Sequence, residues 1–145
     1  MAALLATDGM VAVWHWTPTE AVSAIERRRR EGLSEREADA ALARLDAAVP
    51  RWLTVDDHDL IRDAARRCLR RHPLRTADAG QLAAAMVLAE RLGRTLSFVS
   101  LDERLARAAL LEGLQVLPAR CRYGTAIASV IARPDAERGC EPPGS

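Results

Sequence analysis

Leu96-Ser97-Phe98-Val99-Ser100-Leu101, followed by Asp102 and then by Leu105, Ala108 and Ala109 at helical spacing, decides the fold. The apolar run reads as a strand, Asp102 opens a helix, and Gly113 stops it. Gln115-Val116-Leu117 then reads as a second strand. Strand, helix and strand in so short a span imply a right-handed parallel crossover, and the fold class expected is α/β.

Upstream, Thr76 is expected to cap a helix in which nearly every residue from Leu82 to Ala89 is apolar. Such a helix is buried on more than one face and belongs at the centre of the fold, with Gly93 closing it. Asp56 or Asp57 opens the preceding helix, which carries Leu60, Ile61, Ala64, Ala65 and Cys68 on one face and ends near His72-Pro73. Trp52-Leu53-Thr54-Val55, after Pro50, reads as a short edge strand. Ser34-Glu35-Arg36-Glu37 is a capping box, and Ala38, Ala41, Leu42 and Leu45 supply the helical period behind it. Met10 to Trp16, bounded by Asp8-Gly9 and Thr17-Pro18, reads as a buried strand. Thr17 and Pro18 are then the N-cap and first residue of a helix carrying Ala21, Ala24 and Ile25 and ending at Glu31-Gly32. Beyond Leu117 the periodicity fades, and Pro134, Gly139 and Pro142-Pro143-Gly144 predict a largely disordered tail over 118–145, with a brief helix or strand possible from Thr125 to Ala132. One domain is expected over 1–117, and no internal repeat is present.

The 145 residues suffice for one core and fall short of two domains of ordinary size. Apolar residues make up 49% and aromatic ones 3%, and the Ala and Leu that dominate the apolar share favour helices. A net charge of +1 gives no global attraction to nucleic acid, so any basic surface must be local. All 21 basic residues are Arg, a bias spread evenly along the chain and best explained by codon usage. Met1 to Ala6 lack the basic start of a signal peptide, and no apolar run reaches membrane-spanning length, so the expected location is the cytoplasm. Cys68, Cys121 and Cys140 form no C-x-x-C pair and suggest neither a disulfide framework nor a zinc site; Cys68 is expected to be inert core.

Ligands of parallel α/β sheets bind beyond the carboxyl ends of the strands, where helix N-termini converge. Three acids occupy such places: Glu20 in the first turn after the first strand, Asp78 in the first turn of the buried helix, and Asp102 directly after the Phe98 strand. Acids in first helical turns are ordinary cap and dipole partners, and singly each is better explained that way. Together they suit Mg²⁺ or Mn²⁺, which activates water and stabilises charge building on a phosphate.

The stretch from Leu74-Arg75-Thr76-Ala77-Asp78-Ala79-Gly80-Gln81 to Ala85, with Leu96 to Ala109, is similar to the second half of a PIN domain of the VapC toxin type. The similarity extends back through Thr17-Pro18-Thr19-Glu20-Ala21 and spans roughly 10–117. The resemblance implies a PIN-like α/β/α sandwich with a mainly parallel sheet. It also implies an Mg²⁺- or Mn²⁺-dependent endoribonuclease, the toxin of a type II toxin-antitoxin pair, partnered by RNA, a cognate antitoxin and a second copy in a homodimer. Glu20, Asp78 and Asp102 correspond to the second, third and fourth acids of that family's metal site. The first acid, on an opening strand resembling Asp-Thr-Ser-Ala-Leu, has no counterpart before Glu20. The domain is therefore expected to be N-terminally truncated, through a start codon assigned too far downstream or through decay of the gene. Losing that central strand leaves backbone groups unpaired, and Gly80 stands where the family generally carries a larger apolar residue.

Arg75 and Arg104, near Asp78 and Asp102 in sequence, are the candidate contacts for substrate phosphate. The basic runs Arg27 to Arg30 and Arg66-Arg67 with Arg70-Arg71 are better read as helix C-terminal cations than as RNA contacts. His15 is read as structural, and Trp14 and Trp16 as core or interface residues. Two further readings compete with the nuclease. One is an inactive truncated PIN remnant that serves as an antitoxin-binding or dimerisation module. The other, weaker, is a helical regulatory or DNA-binding domain built on Ser34 to His72. For this chain, poor metal-dependent RNA cleavage is expected.

Overall fold

In a computed structural model of the chain, residues 10–117 are described. The expected tail over 118–145, with its brief element at Thr125 to Ala132, lies outside them, as do Cys121, Cys140 and the segment from Met1 to Ala6. The apolar runs become short strands, β1 (Val11–Trp14), β2 (Trp52–Val55), β3 (Ser97–Val99) and β4 (Gln115–Leu117). The periodic segments become helices α1 (Thr17–Arg30), α2 (Glu35–Ala48), α3 (His58–Arg71), α4 (Thr76–Leu92) and α5 (Glu103–Leu111). A single 3₁₀ turn, Val49–Arg51, leads into β2. The class is mixed α/β.

Both strand pairings are parallel, and the crossover argument anticipated this for β3 and β4. Val13 stands beside Thr54 in β1–β2, and Phe98 beside Val116 in β3–β4. Among the described residues the strands do not join into one sheet. Among the described residues they make two separate pairs, so β1 and β3 each have one edge without a neighbouring strand.

The core forms around α4. Ala79 to Ala85 are all buried, with Val87 and Leu88. The small alanine side chains let neighbouring elements approach the helix axis from several directions. α3 packs most extensively against α4, and β1 and α5 also meet it. Ile61, Ala64 and Cys68 form the buried stripe of α3. Leu60, expected on that stripe, is instead 52% exposed, because it lies one position round the helix from Ile61. Cys68 Sγ contacts Met86 Sδ at 3.6 Å, and burial pushes its thiol pKa up, which fits inert core.

The ends of the helices follow their sequence signals with two corrections. Ser34 and Glu37 close the capping box, Asp57 caps α3 through Leu60 N–H, and Gly93 ends α4 with φ 61°. Thr17 and Thr76 do not act as N-caps. Each is already inside its helix; Trp16 and Arg75 occupy the cap positions, with no side-chain cap hydrogen bond. For Thr17 the reason is visible: its side chain is buried at 1% exposure rather than turned back to the helix start. Asp57 also pairs with Arg91, which ties the start of α3 to the end of α4. β2 stands between α2 and α3, where the sequence placed its short edge strand. No helix among the described residues is long and apolar enough to cross a membrane.

Candidate functional site

Glu20 lies in the first turn of α1, Asp78 is the third residue of α4, and Asp102 is the N-cap of α5. Three helix starts therefore each carry one of the predicted acids. The positive ends of α1 and α4 favour the ionised forms of Glu20 and Asp78, whereas burial works against them.

Glu20 and Asp78 are both half-buried, and both have raised pKa values. Burial is the largest cause at Glu20, opposed by a hydrogen bond from Gln81, while the charge of Asp78 pushes upward. At Asp78, burial again leads; a hydrogen bond from the Arg75 backbone opposes it, and the charge of Asp102 adds to the rise. Glu20 thus feels Asp78, and Asp78 feels Asp102. The Arg104 and Arg75 guanidinium groups both act on Asp78 in the opposite sense.

Asp102 has a structural duty. Its Oδ1 accepts from Arg104 N–H at 2.9 Å and Leu105 N–H at 3.0 Å, while Oδ2 lies 3.9 Å from the Arg104 guanidinium. Ser100, buried at 1% exposure, fixes the approach to this cap by accepting from Asp102 N–H at 3.1 Å. Both arginines singled out from the sequence therefore lie beside the acidic cluster. Among the described residues, no group of three or more His, Cys, Asp or Glu is arranged as a ready-made cation site.

Sequence reasoning missed Gln81. It is buried at 3% exposure, one turn beyond Asp78, and its Nε2 donates to Glu20 Oε2 at 2.7 Å. Its signal was available: a lone amide at the head of an apolar run is costly to bury unless it has a partner. Thr17, one turn before Glu20, is buried as well. Thr17 Oγ1 and Gln81 Oε1 have no hydrogen-bond partner among the described residues. Polar atoms that flank Glu20 thus retain unused bonding capacity.

The other candidate features fall largely to structure. Arg29 pairs with Glu26 and Glu35 at 3.2 Å and with Asp39 at 3.4 Å, so it joins α1 to α2. Arg71 pairs with Glu112 at 3.4 Å. His15 meets His58 edge-on with ring centroids 4.5 Å apart, and burial holds its pKa below 6.5. Trp16 is 50% exposed, whereas Trp14 lies against Gly80. A cavity of about 230 Å³ lies between Trp14, His15, His58, Thr76 and Gly80, and none of the three acids lines it. The chain matches no protein-family model and no curated protein.

Proposed function

We propose that Glu20, Asp78 and Asp102 form a site for one Mg²⁺ or Mn²⁺ ion in a PIN-like endoribonuclease of the VapC toxin type, acting on RNA phosphodiesters. The observation that carries this reading is the chain of interactions from Glu20 through Asp78 to Asp102. Three acids at three helix starts lie close enough for Glu20 to sense Asp78 and Asp78 to sense Asp102, and Glu20 and Asp78 are held above their ordinary pKa values by burial first and by that neighbouring acid second. A hard cation relieves both penalties, and carboxylate oxygens are its preferred ligands. Among the described residues both strand pairs are parallel, which is compatible with the mainly parallel sheet that the resemblance implies.

The bound ion would supply Lewis acidity and a more acidic water. The protein supplies the rest. Gln81 orients the Glu20 carboxylate, the Arg75 backbone orients Asp78, and the α5 cap fixes Asp102. Arg75 and Arg104, near the acids, are suited to the phosphate of a bound RNA. The cognate antitoxin and the homodimer belong to this proposal through the family resemblance, as does a cytoplasmic location.

A second reading, a non-catalytic antitoxin-binding or dimerisation module, is favoured by one observation: among the described residues no strand joins the β1–β2 pair to the β3–β4 pair. RNA cleavage separates the two. The nuclease reading expects slow Mn²⁺-dependent cleavage of single-stranded RNA that Asp78→Ala abolishes. Cleavage that is absent, or identical in Asp78→Ala, favours the module.

A further inference from the structure

The cavity beside Trp14 is lined along one side by α3, in two rows of different character. Ile61, Ala65 and Leu69 recur at every fourth residue, and so do His58, Arg62 and Arg66. Residues four apart stack along one face of a helix, so α3 presents an apolar row and, next to it, a basic row to the same space. The apolar row runs from the core to the surface: Ile61 is 3% exposed and Leu69 40%. His58, Arg62 and Arg66 are all exposed.

Trp14 and Gly80 contribute to the remaining wall. Close contact with Gly80 sets the indole against α4, and Trp14 also packs on the main core. An aromatic wall facing an aliphatic row suits a flat apolar body. At about 230 Å³ the cavity is smaller than the roughly 300–1,000 Å³ usual for drug-sized ligands, which limits that body to one or two rings.

The charge around it has one sign. Among the described residues no Asp or Glu lines the cavity, while two arginines and two histidines do. Histidine titrates near neutral pH, so the arginines carry the lasting charge. Arg62 lies 3.1 Å from Asp59, an exposed pair that offsets much of its charge. The surplus is therefore close to a single positive charge, which matches a monoanion better than a phosphate dianion. Guanidinium groups bind carboxylates through paired, charge-assisted hydrogen bonds.

We propose that the cavity between Trp14, the two rows of α3 and the start of α4 binds a small aromatic carboxylate. Its ring lies along Trp14 and the Ile61 to Leu69 row, and its carboxylate meets Arg62 and Arg66. Glu20, Asp78 and Asp102 do not line this cavity, so the inference stands apart from the metal and RNA reading.

Calorimetry and amide NMR on the full chain test it, with naphthoate as the probe, naphthamide as its neutral match and adenosine monophosphate as a nucleotide. One saturable naphthoate per chain is expected, with a Kd of about 0.1–1 mM for a ligand of this size. Its shift changes should centre on α3 and the Trp14 indole. Naphthamide and the nucleotide should bind at least about tenfold more weakly. Arg62→Gln with Arg66→Gln, both at exposed positions, should reduce naphthoate to the affinity of naphthamide and leave naphthamide unchanged. Ala65→Leu, which fills the cavity, should weaken both. No saturable naphthoate binding, equal binding of naphthamide, or unchanged affinity in the double arginine variant would each overturn the proposal. Nucleotide binding as tight as that of naphthoate would assign the cavity to a nucleobase and overturn it equally.

Discussion

Gln81 Nε2 donates to Glu20 Oε2 across 2.7 Å, which joins the core helix α4 to the first turn of α1. The bond favours the ionised carboxylate and opposes the upward push of burial. Replacing Gln81 with Leu removes the donor and puts an apolar side chain of similar size in its place, so the pKa of Glu20 is expected to move further up. Carbon-detected NMR titration of the Glu20 carboxylate reads this directly, and a downward or absent shift would show that the contact does not govern Glu20.

Gly80 is where Trp14 lies on α4. A Cβ at this position would stand 2.5 Å from Trp14 Cη2, closer than any carbon contact tolerates. The indole thus fills the space that a larger residue on α4 would occupy. Gly80→Ala is expected to cost about 1–3 kcal/mol in urea unfolding, the usual range for overpacking. Combining it with Trp14→Leu should cost less than the sum of the single changes, because the clash is shared. Strict additivity would show that the two residues do not compete for one space.

The acidic cluster makes its own pH signature. Glu20 and Asp78 have folded-state pKa values above 4.5 and 3.8 respectively, chiefly through burial. Their contribution to stability is therefore complete below those ordinary values and is lost as pH rises through the raised ones. At pH 7 without metal, both carboxylates are a net cost. Glu20→Gln with Asp78→Asn should then melt above the parent, by under about 1 kcal/mol because both groups are half open to solvent. Thermal melts of the metal-free proteins decide this, and a lower melting temperature in the double variant would contradict it.

Glu112 behaves in the opposite sense. His72 Nε2 lies 2.7 Å from its Oε1, and that hydrogen bond, helped by Arg71, holds its pKa below 4.5 despite burial. Its stabilisation is present above that ordinary value and is lost as pH falls through the lowered one. Glu112→Gln should cost about 1 kcal/mol at pH 7 and less in acid, once pH has fallen through the lowered value. Equal losses in both conditions would point to packing alone.

The local elements were legible because their signals are local. The Ser34 capping box, the Gly93 stop and the apolar run of α4 each depend on neighbours within one or two turns. Parallel pairing of β3 with β4 followed from the short span between them. What was not legible depends on distant partners. Nothing near Gln81 announces Glu20, 61 residues away, as the partner of its amide. Thr17 and Thr76 carry cap-forming side chains, yet their helices begin one residue earlier than those side chains suggest. The positions of Glu20, Asp78 and Asp102 at helix starts could be read in advance; their effect on one another could not.

Mn²⁺ binding measured by electron paramagnetic resonance on the full chain is the most direct test of the proposed site. One saturable Mn²⁺ per chain is expected, displaced by Mg²⁺ and weakened at least about tenfold by Asp78→Asn, since loss of even an outer partner of a metal ligand typically costs that much. Absence of saturable binding, or equal affinity in a folded Asp78→Asn variant, would contradict the assignment of Glu20, Asp78 and Asp102 as a metal site.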